Sequence, residues 1–254
     1  MTMTAQTLKT TPRELPFEWM VNERPINVLL IGAGGNGSEF YDGLMRLHAG
    51  MQAVGGHGLH VIVMDDDDVS ESNCVRQRFW PHEVGQNKAV SLAHRSNMMM
   101  GTGWQGLPQR FTENPANGRF DLVVTAVDNL AARRKVANEK GLAQFWLDMG
   151  CDVDRGQVVF GEWGDNKLDS NWPTALAHFP DMETREETRQ EDSCSAADSL
   201  MKQDLMINQT VAGAAINMLW KALRTGKMNH NGVMIDLADS FSQAIPFMPD
   251  ATRH

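Results

Sequence analysis

The sequence has few cysteines, no long apolar run and no excess of basic residues. Three cysteines among 254 residues cannot form a disulfide framework or an all-cysteine zinc site, and they are typical of a reducing cytoplasm. No apolar stretch approaches the roughly 20 residues that a transmembrane helix needs. The 23 lysines and arginines are outnumbered by 32 aspartates and glutamates, so we expect no binding to the phosphate backbone of nucleic acids. We therefore predict a cytoplasmic protein that binds neither nucleic acid nor membranes.

Short apolar runs alternate with segments of helical periodicity along the chain. The predicted strands lie at residues 27–31, 59–64, 122–125, 145–147, 157–160 and 233–237, and the predicted helices at 36–47, 86–99, 130–140 and 211–223. Such alternation predicts an α/β fold with a Rossmann-like, doubly wound and mostly parallel sheet, followed by a C-terminal strand extension. We expect an N-terminal extension at residues 1–25 and a single domain over residues 26–254.

A polar connection interrupts this pattern at residues 165–195. Within it, residues 181–192 carry six acidic side chains and two arginines and show little periodicity. A connection of this length inside a compact domain is more often functional or disordered than purely structural. We therefore predict a mobile loop at residues 165–195, with Cys194 near its end.

The first predicted strand leads directly into a glycine-rich turn. Gly32, Gly34 and Gly37 form the pattern G-x-G-x-x-G between a predicted strand and a predicted helix, which is the context that this nucleotide-binding pattern requires. Glycines permit the tight turn and let phosphate groups approach the backbone N–H groups at the helix N-terminus. The alternative is a glycine-rich turn that binds no ligand.

Four consecutive aspartates, residues 65–68, follow the second predicted strand. In dinucleotide-binding folds an acidic residue after this strand holds the ribose hydroxyls, and Asp65 occupies that position. Adjacent carboxylates repel one another unless cations or hydrogen-bond donors compensate. A solvated acidic turn is the alternative interpretation.

Three further segments follow the glycine turn in order. They read DDDDVSESNCVRQ at 65–77, VGQNKA at 84–89 and TAVDNLAAR at 125–133. With the glycine turn they resemble the motifs of the ThiF/MoeB/ubiquitin-activating (E1-like) adenylyltransferase superfamily, with one departure at Cys74, where the family usually has leucine. The segments 193–196 and 202–205 resemble in particular the ThiF-family proteins of plasmid-associated PRTRC gene cassettes.

The resemblance implies a site for ATP and Mg²⁺. It assigns Asp65 to the ribose and Asp128 to magnesium, which prefers carboxylate oxygens. Arginine and lysine are suitable cations for phosphate groups, and asparagine and glutamine can orient them by hydrogen bonds. The residues implied around the triphosphate are Asp67, Asn73, Arg76, Gln77 and Lys88.

Four of these residues have structural alternatives. Arg76 could pair with the aspartate run at the surface, and Lys88 could be an ordinary exposed lysine of a helix. Asp128 could cap the helix that follows it, and Asn73 could stabilise a turn.

The function that the resemblance implies is activation of the C-terminal carboxylate of a small ubiquitin-like or sulfur-carrier protein with a β-grasp fold. Cys194 would accept the activated acyl group as a thioester or take part in sulfur transfer, and the alternative is a non-catalytic Cys194. Cys74 would be a small buried residue, and Cys151 would be packed beside the nucleotide cleft. The resemblance also implies a homodimer in which an arginine of the N-terminal segment reaches the partner's ATP site. Arg13 and Arg24 are the candidates, although neither lies in a copy of the family motif. Zinc is not expected, because the chain has no C-x-x-C pair. The alternatives are a non-catalytic nucleotide-binding scaffold of a plasmid-maintenance cassette and an NAD-dependent oxidoreductase.

Overall fold

The computed structural model describes residues 11–116, 118–139, 141–163, 172–184 and 203–247. The strands are β1 (Arg13–Glu14), β2 (Ile26–Ile31), β3 (Leu59–Met64), β4 (Gln105–Leu107), β5 (Phe120–Thr125), β6 (Ala143–Cys151), β7 (Arg155–Glu162), β8 (Lys227–Met228), β9 (Gly232–Asp236) and β10 (Phe241–Ile245). The helices are α1 (Phe17–Val21), α2 (Gly35–Ala53), α3 (Asn73–Arg76), α4 (Lys88–Met100), α5 (Leu130–Asn138), α6 (Ala175–His178) and α7 (Ile207–Thr225), with 3₁₀ turns at Pro81–Glu83 and Pro180–Glu183.

One eight-stranded sheet organises these elements, in the order β10-β9-β7-β6-β5-β2-β3-β4. The five strands from β6 to β4 run parallel, and β7, β9 and β10 extend the sheet in antiparallel fashion. The predicted α/β class, with a mostly parallel sheet and a C-terminal strand extension, is confirmed. Among the described residues, no helix is long and apolar enough to cross a membrane.

The central strands are apolar on both faces because helices cover both faces of the sheet. In β2, Val28 and Leu30 belong to a core cluster shared with α2, α4 and α7. Leu29 and Ile31 point the other way, into a second cluster that includes residues of α5. Burial on both faces explains why residues 28–31 of β2 form an uninterrupted apolar run rather than an alternation.

Two strands of the sheet were not predicted from the sequence. Strand β4 has only three residues, and the edge strand β10 is exposed along most of its length. Neither segment buries enough side chains to produce a run of apolar residues or a clear alternation. The short antiparallel pair of β1 and β8 was missed for the same reason.

The predicted loop at residues 165–195 falls largely outside the described residues. Its described part, residues 172–184, contains α6 and differs from the expected exposed loop, because Trp172 and Met182 are buried. The Trp172 ring packs edge-on against Phe145 and Phe160, and its indole N–H donates to the Phe160 carbonyl. Aromatic packing therefore fixes this part of the connection, while the mobility of the remainder stays a prediction.

Part of the predicted N-terminal extension also packs onto the domain. Leu15 and Trp19 are buried in the larger core cluster, and the Trp19 ring contacts Phe145 edge-on. The backbone N–H of Leu15 donates to the carbonyl of Gly226, directly after α7. Residues 13–21 therefore share the core of the domain that follows them.

Candidate functional site

The glycine turn joins β2 to α2 at the carboxyl ends of the parallel strands. Gly32 has a φ of +95°, and a Cβ there would lie 2.8 Å from the Ala126 carbonyl oxygen. A Cβ on Gly37 would overlap the carbonyl oxygen of Gly32. In contrast, a Cβ on Gly34 would meet nothing within 4 Å. Gly32 and Gly37 are thus needed for close packing of the turn, whereas Gly34 faces open space at the N-terminus of α2.

Asp65, directly after β3, is tied to this turn. Its carboxylate accepts hydrogen bonds from the backbone N–H groups of Ala33 at 2.6 Å and Asp67 at 2.9 Å. Burial raises the pKa of the Asp65 carboxyl, although both backbone donors oppose that shift. Each carboxylate oxygen has further acceptor capacity, so Asp65 can still accept hydrogen bonds from the hydroxyls of a ligand.

The neighbouring aspartates are compensated by cations. Carboxylate oxygens of Asp65, Asp66 and Asp67 lie within 4.8 Å of one another. Asp66 pairs with Arg110 at 2.7 Å, and Asp67 pairs with the ammonium of Lys88 at 2.9 Å. The Lys88 side chain is only 8% exposed, against 62% for Asp67. The interpretation of Lys88 as an ordinary exposed lysine is therefore wrong, since its charge reaches the aspartate loop from a buried position.

The short helix α3 carries the next set of predicted residues. Arg76 donates from Nη1 to Oε1 of Gln203, and burial lowers the pKa of its guanidinium. Gln77 follows, and its buried Oε1 has no hydrogen-bond partner among the described residues. The Oδ1 atom of Asn73 accepts from the Ser70 N–H at 2.9 Å, which agrees with the turn-forming alternative.

Asp128 lies between β5 and α5 with an exposed side chain. Asn129, not Asp128, caps α5, because its Oδ1 accepts from the Ala132 N–H at 2.8 Å. The capping interpretation of Asp128 is therefore wrong. The amide of Asn129 lies 3.4 Å from Oδ1 of Asp128, and a carboxylate this exposed is accessible to a cation.

A buried polar network supports the segment that carries Asp128. Arg133 donates from Nη2 to the carbonyls of Val127 at 2.9 Å and Met149 at 2.8 Å, so it joins the ends of β5 and β6. Its Nε forms an ion pair with Oδ1 of the fully buried Asp148 at 3.3 Å, and the same oxygen accepts a hydrogen bond from the Thr125 hydroxyl. Sequence reasoning placed Arg133 in a motif but missed Asp148, although a carboxylate at the end of an apolar strand is a detectable signal.

Cys151, at the end of β6, lies beside the glycine turn as the sequence predicted. Its Sγ is 3.5 Å from Oδ1 of Asn36, 3.4 Å from Oδ1 of Asn208 and 3.4 Å from Nε2 of Gln203. Burial raises the pKa of this thiol. Sequence reasoning missed these three carboxamides, although an asparagine on the apolar side of α7 breaks the helical pattern at position 208.

The remaining predicted residues lie elsewhere. Cys194 is outside the described residues, so its role as an acyl acceptor stays a prediction. Cys74 is half-buried and packs against the core, as expected for a structural residue. Arg24 pairs with Asp121 near the amino ends of the strands, and the guanidinium of Arg13 lies over the Phe247 ring. The backbone of Arg13 pairs with Met228 in β8, just beyond the C-terminal end of α7. Asn208 lies at the opposite end of α7, and the helix between them is about 27 Å long. A contact of Arg13 or Arg24 with a partner subunit stays a prediction.

The arrangement fits a phosphate-bearing ligand. The N-terminus of α2 has an open approach at Gly34, and the cationic side chains of Arg76 and Lys88 belong to the same edge of the sheet. The buried Oε1 of Gln77 is unpaired within the described part of the chain, and as an acceptor it could bind a hydroxyl or amino group of the ligand rather than a phosphate oxygen. The exposed carboxylate of Asp128 fits a hard divalent cation.

Comparisons with known proteins agree with this geometry. The sequence profile of the ThiF family matches residues 21–241. The chain is 28% identical over 136 residues to a ubiquitin-activating enzyme E1-like protein of Saccharomyces cerevisiae; the match covers 49% of this chain and 20% of the yeast protein. The chain thus spans about a fifth of that relative's length.

Crystal structures with the same fold include PaaA, with a TM-score of 0.59 and 16% identity over 92% of this chain and 67% of PaaA. Escherichia coli MccB with ATP gives a TM-score of 0.56, at 16% identity over 92% of this chain and 67% of MccB. MccB with MccA-N7isoASN gives 0.58, at 15% identity over 92% and 68% of the two chains.

Proposed function

This chain belongs to the ThiF family, and from that premise we propose that it is an ATP-dependent adenylyltransferase acting on a carboxylate. One observation carries the proposal. The glycine turn, Asp65, the buried cation Lys88 and the exposed carboxylate of Asp128 come from separate segments that all belong to the carboxyl edge of one parallel sheet. Ligands of open α/β sheets bind at this edge.

In the proposed reaction, a carboxylate oxygen attacks the α-phosphorus of ATP, a new P–O bond forms, and the bond to pyrophosphate breaks. The protein must position the two reactants and neutralise the charge that develops on phosphate oxygens. The backbone N–H groups at the start of α2 and the side chains of Arg76 and Lys88 would supply that stabilisation. Asp65 would hold the ribose, and Asp67, Asn73 and Gln77 would surround the triphosphate.

Asp128 would hold Mg²⁺, which when bound would neutralise negative charge on the phosphates and the departing pyrophosphate. Asn129 caps α5, so the Asp128 carboxylate is not needed for that role. Arg133 fixes the carbonyl of Val127 next to it. This chain therefore contributes an exposed carboxylate, on a segment whose backbone is fixed by a hydrogen bond from the buried side chain of Arg133.

We further propose that the carboxylate belongs to the C-terminus of a small protein, either a ubiquitin-like protein or a sulfur carrier with a β-grasp fold. The E1-like name of the yeast relative and the structures of MccB with ATP and with MccA-N7isoASN support a peptide or protein substrate. Transfer of the acyl group to Cys194, a homodimer and the link to PRTRC cassettes belong to the same proposal.

ATP–pyrophosphate exchange tests the proposal. The chain is incubated with Mg²⁺-ATP, labelled pyrophosphate and a purified β-grasp protein that has a free C-terminal carboxylate. Exchange should require that partner and should be lost when its C-terminus is amidated, because the amide cannot form the acyl-adenylate. ATP binding without exchange for any β-grasp partner would contradict the enzyme assignment and would favour a nucleotide-binding scaffold.

A further inference from the structure

The starting observation is an unpaired donor beside the glycine turn. Asn208, the second residue of α7, is 2% exposed. Its Oδ1 accepts from the Cys151 thiol at 3.4 Å, so its amide nitrogen points away from the sulfur. That nitrogen, Nδ2, has no hydrogen-bond partner within the described ranges. Buried side-chain amides are nearly always paired in native proteins, so an unpaired Nδ2 indicates capacity for a ligand.

Gly35 shows where this amide lies. A Cβ on Gly35 would overlap Oδ1 of Asn208 and would lie 2.8 Å from its Nδ2. The pattern G-x-G-x-x-G does not include position 35, and Gly35 has no left-handed backbone conformation. The second glycine of the Gly34-Gly35 pair is therefore needed because the Asn208 amide rests on the first residue of α2.

The first turn of a long helix is where backbone N–H groups have no partner within the helix. In the 19-residue helix α2 those N–H groups and the helix dipole favour an anion at Gly35 and the residues after it. The unpaired Nδ2 of Asn208 adds a neutral donor at the same position. Two independent features, a helix N-terminus and a buried unpaired amide, thus converge on one anionic group.

We propose that Asn208 is a ligand-binding residue of the nucleotide site and that its Nδ2 donates to a phosphate oxygen of the nucleotide at the N-terminus of α2. The inference rests on the proposed function only in requiring that ATP binds at the glycine turn. Asn208 comes from the far end of the sequence, so α7 completes the phosphate site that the β2–α2 turn begins. Its contact with Cys151 orients the amide.

Titration of the full-length chain with ATP and with adenosine, monitored by calorimetry, tests this inference. Asn208→Asp keeps the shape of the side chain but replaces the donor with a negative charge, and Asn208→Ala removes the donor without adding charge. Either variant should weaken ATP binding at least tenfold, with the larger loss for Asn208→Asp, while adenosine binding stays within twofold. A purely structural role would weaken both ligands alike.

The matched control is Asn217→Asp, which adds the same charge to an exposed position of the same helix and should leave ATP binding unchanged. Cys151→Ala tests whether the thiol contact alone explains the effect, and it should cost less than threefold. ATP affinity that is unchanged in both Asn208 variants, or equal losses for ATP and adenosine, would overturn the inference.

The same titrations separate this inference from the proposed enzyme activity. Selective loss of ATP binding in the Asn208 variants, together with absence of pyrophosphate exchange in the wild type, would sustain the inference and contradict the adenylyltransferase. Unchanged ATP binding in the variants, together with partner-dependent exchange in the wild type, would overturn the inference and support the adenylyltransferase. A wild-type chain that binds no ATP would overturn both.

Discussion

Asp121 at the amino ends of the parallel strands differs from Gln77 and Asn208 at the carboxyl ends in how completely its polar atoms are paired. At the amino ends, both oxygens of Asp121 are occupied by the Arg24 guanidinium at 2.6 and 2.7 Å, and the Asn27 N–H adds a further bond. At the carboxyl ends, Gln77 and Asn208 each keep a buried polar atom that is unpaired in the described part of the chain. Paired groups stabilise the fold, whereas unpaired buried groups have a free-energy cost that a ligand can remove.

We expect the largest loss of activity from a substitution of Lys88, at the carboxyl ends of the strands. Lys88→Ala removes a buried cation of the carboxyl edge, and we expect pyrophosphate exchange to fall by about 10²–10³-fold. The thermal midpoint should change little, because the carboxylate that loses its partner, Asp67, is mostly exposed. Lys135→Ala, at an exposed position of α5, is the control for loss of a lysine. An exchange rate within threefold of wild type would show that the buried lysine serves the fold alone.

The network behind Asp128 should give the second largest effect. Arg133→Lys keeps the charge but lacks the planar guanidinium, whose Nη2 donates to the carbonyls of Val127 and Met149 while its Nε faces Asp148. We expect the Mg²⁺ concentration for half-maximal exchange to rise about 10–100-fold, as for other residues that orient a metal ligand. Mn²⁺ binding, followed by electron paramagnetic resonance, should weaken in parallel.

A double-mutant cycle identifies the route of this effect. If Arg133 acts through Asp128, adding Arg133→Lys to Asp128→Asn should cause little further loss, because the carboxylate that Arg133 helps to orient is already absent. Additive losses would contradict that route. Arg134→Lys is the matched control, since Arg134 is the next residue of α5 and donates from Nε to the Met182 carbonyl.

We expect a smaller effect on the pH dependence of ATP binding, through titration of Asp65. Burial raises the pKa of its carboxyl above the ordinary 3.8. The ionised form accepts from the Ala33 N–H and would accept from the ribose, so ATP binding should weaken several-fold as pH falls through the raised pKa. The stability of the unliganded chain depends on pH in the opposite direction. Because the folded state favours the protonated form of Asp65, its contribution to the free energy of unfolding is fully present below the ordinary pKa and is lost as pH rises through the raised pKa.

Calorimetric titration with ATP at a series of pH values tests this expectation. Asp65→Asn should flatten the acidic limb of the affinity profile, and the same replacement at the exposed Asp68 should leave it intact. An acidic limb that persists unchanged in Asp65→Asn would assign the titration to another group.

The two halves of the site differ in how far the sequence predicts them. Asp65 was predicted from its place directly after a strand, and Lys88 from the segment VGQNKA, which resembles a motif of the family. The partners of Arg76 and Cys151 could not be predicted in this way, because Gln203 and Asn208 are 127 and 57 residues away in sequence. Their positions depend on how α7 packs against α2, a tertiary contact that local patterns do not encode.

The same reasoning applies to the fold. Strands β2, β3 and β5 were predicted within two residues because burial on both faces gives each an uninterrupted apolar run, at residues 28–31, 61–64 and 122–124. The edge strand β10 has only one buried residue, so pairing with β9 determines its conformation and the sequence shows no alternation. Position within the sheet, more than intrinsic preference, decides which elements the sequence reveals.

We expect the smallest effect, a small loss of stability, at the amino ends of the strands, where Arg24→Ala breaks the ion pair with Asp121. Because the Arg24 side chain is 55% exposed, solvent screens the pair, and we expect a loss of only about 0.5–1 kcal/mol in the free energy of unfolding. Urea denaturation measures this loss, with Arg155→Ala, which breaks a more exposed pair with Asp236, as a milder comparison. Pyrophosphate exchange should not change. A tenfold fall in exchange with unchanged stability would contradict the distinction between the two ends of the strands. Arg24 would then act at an ATP site, as expected of an arginine that reaches a partner subunit.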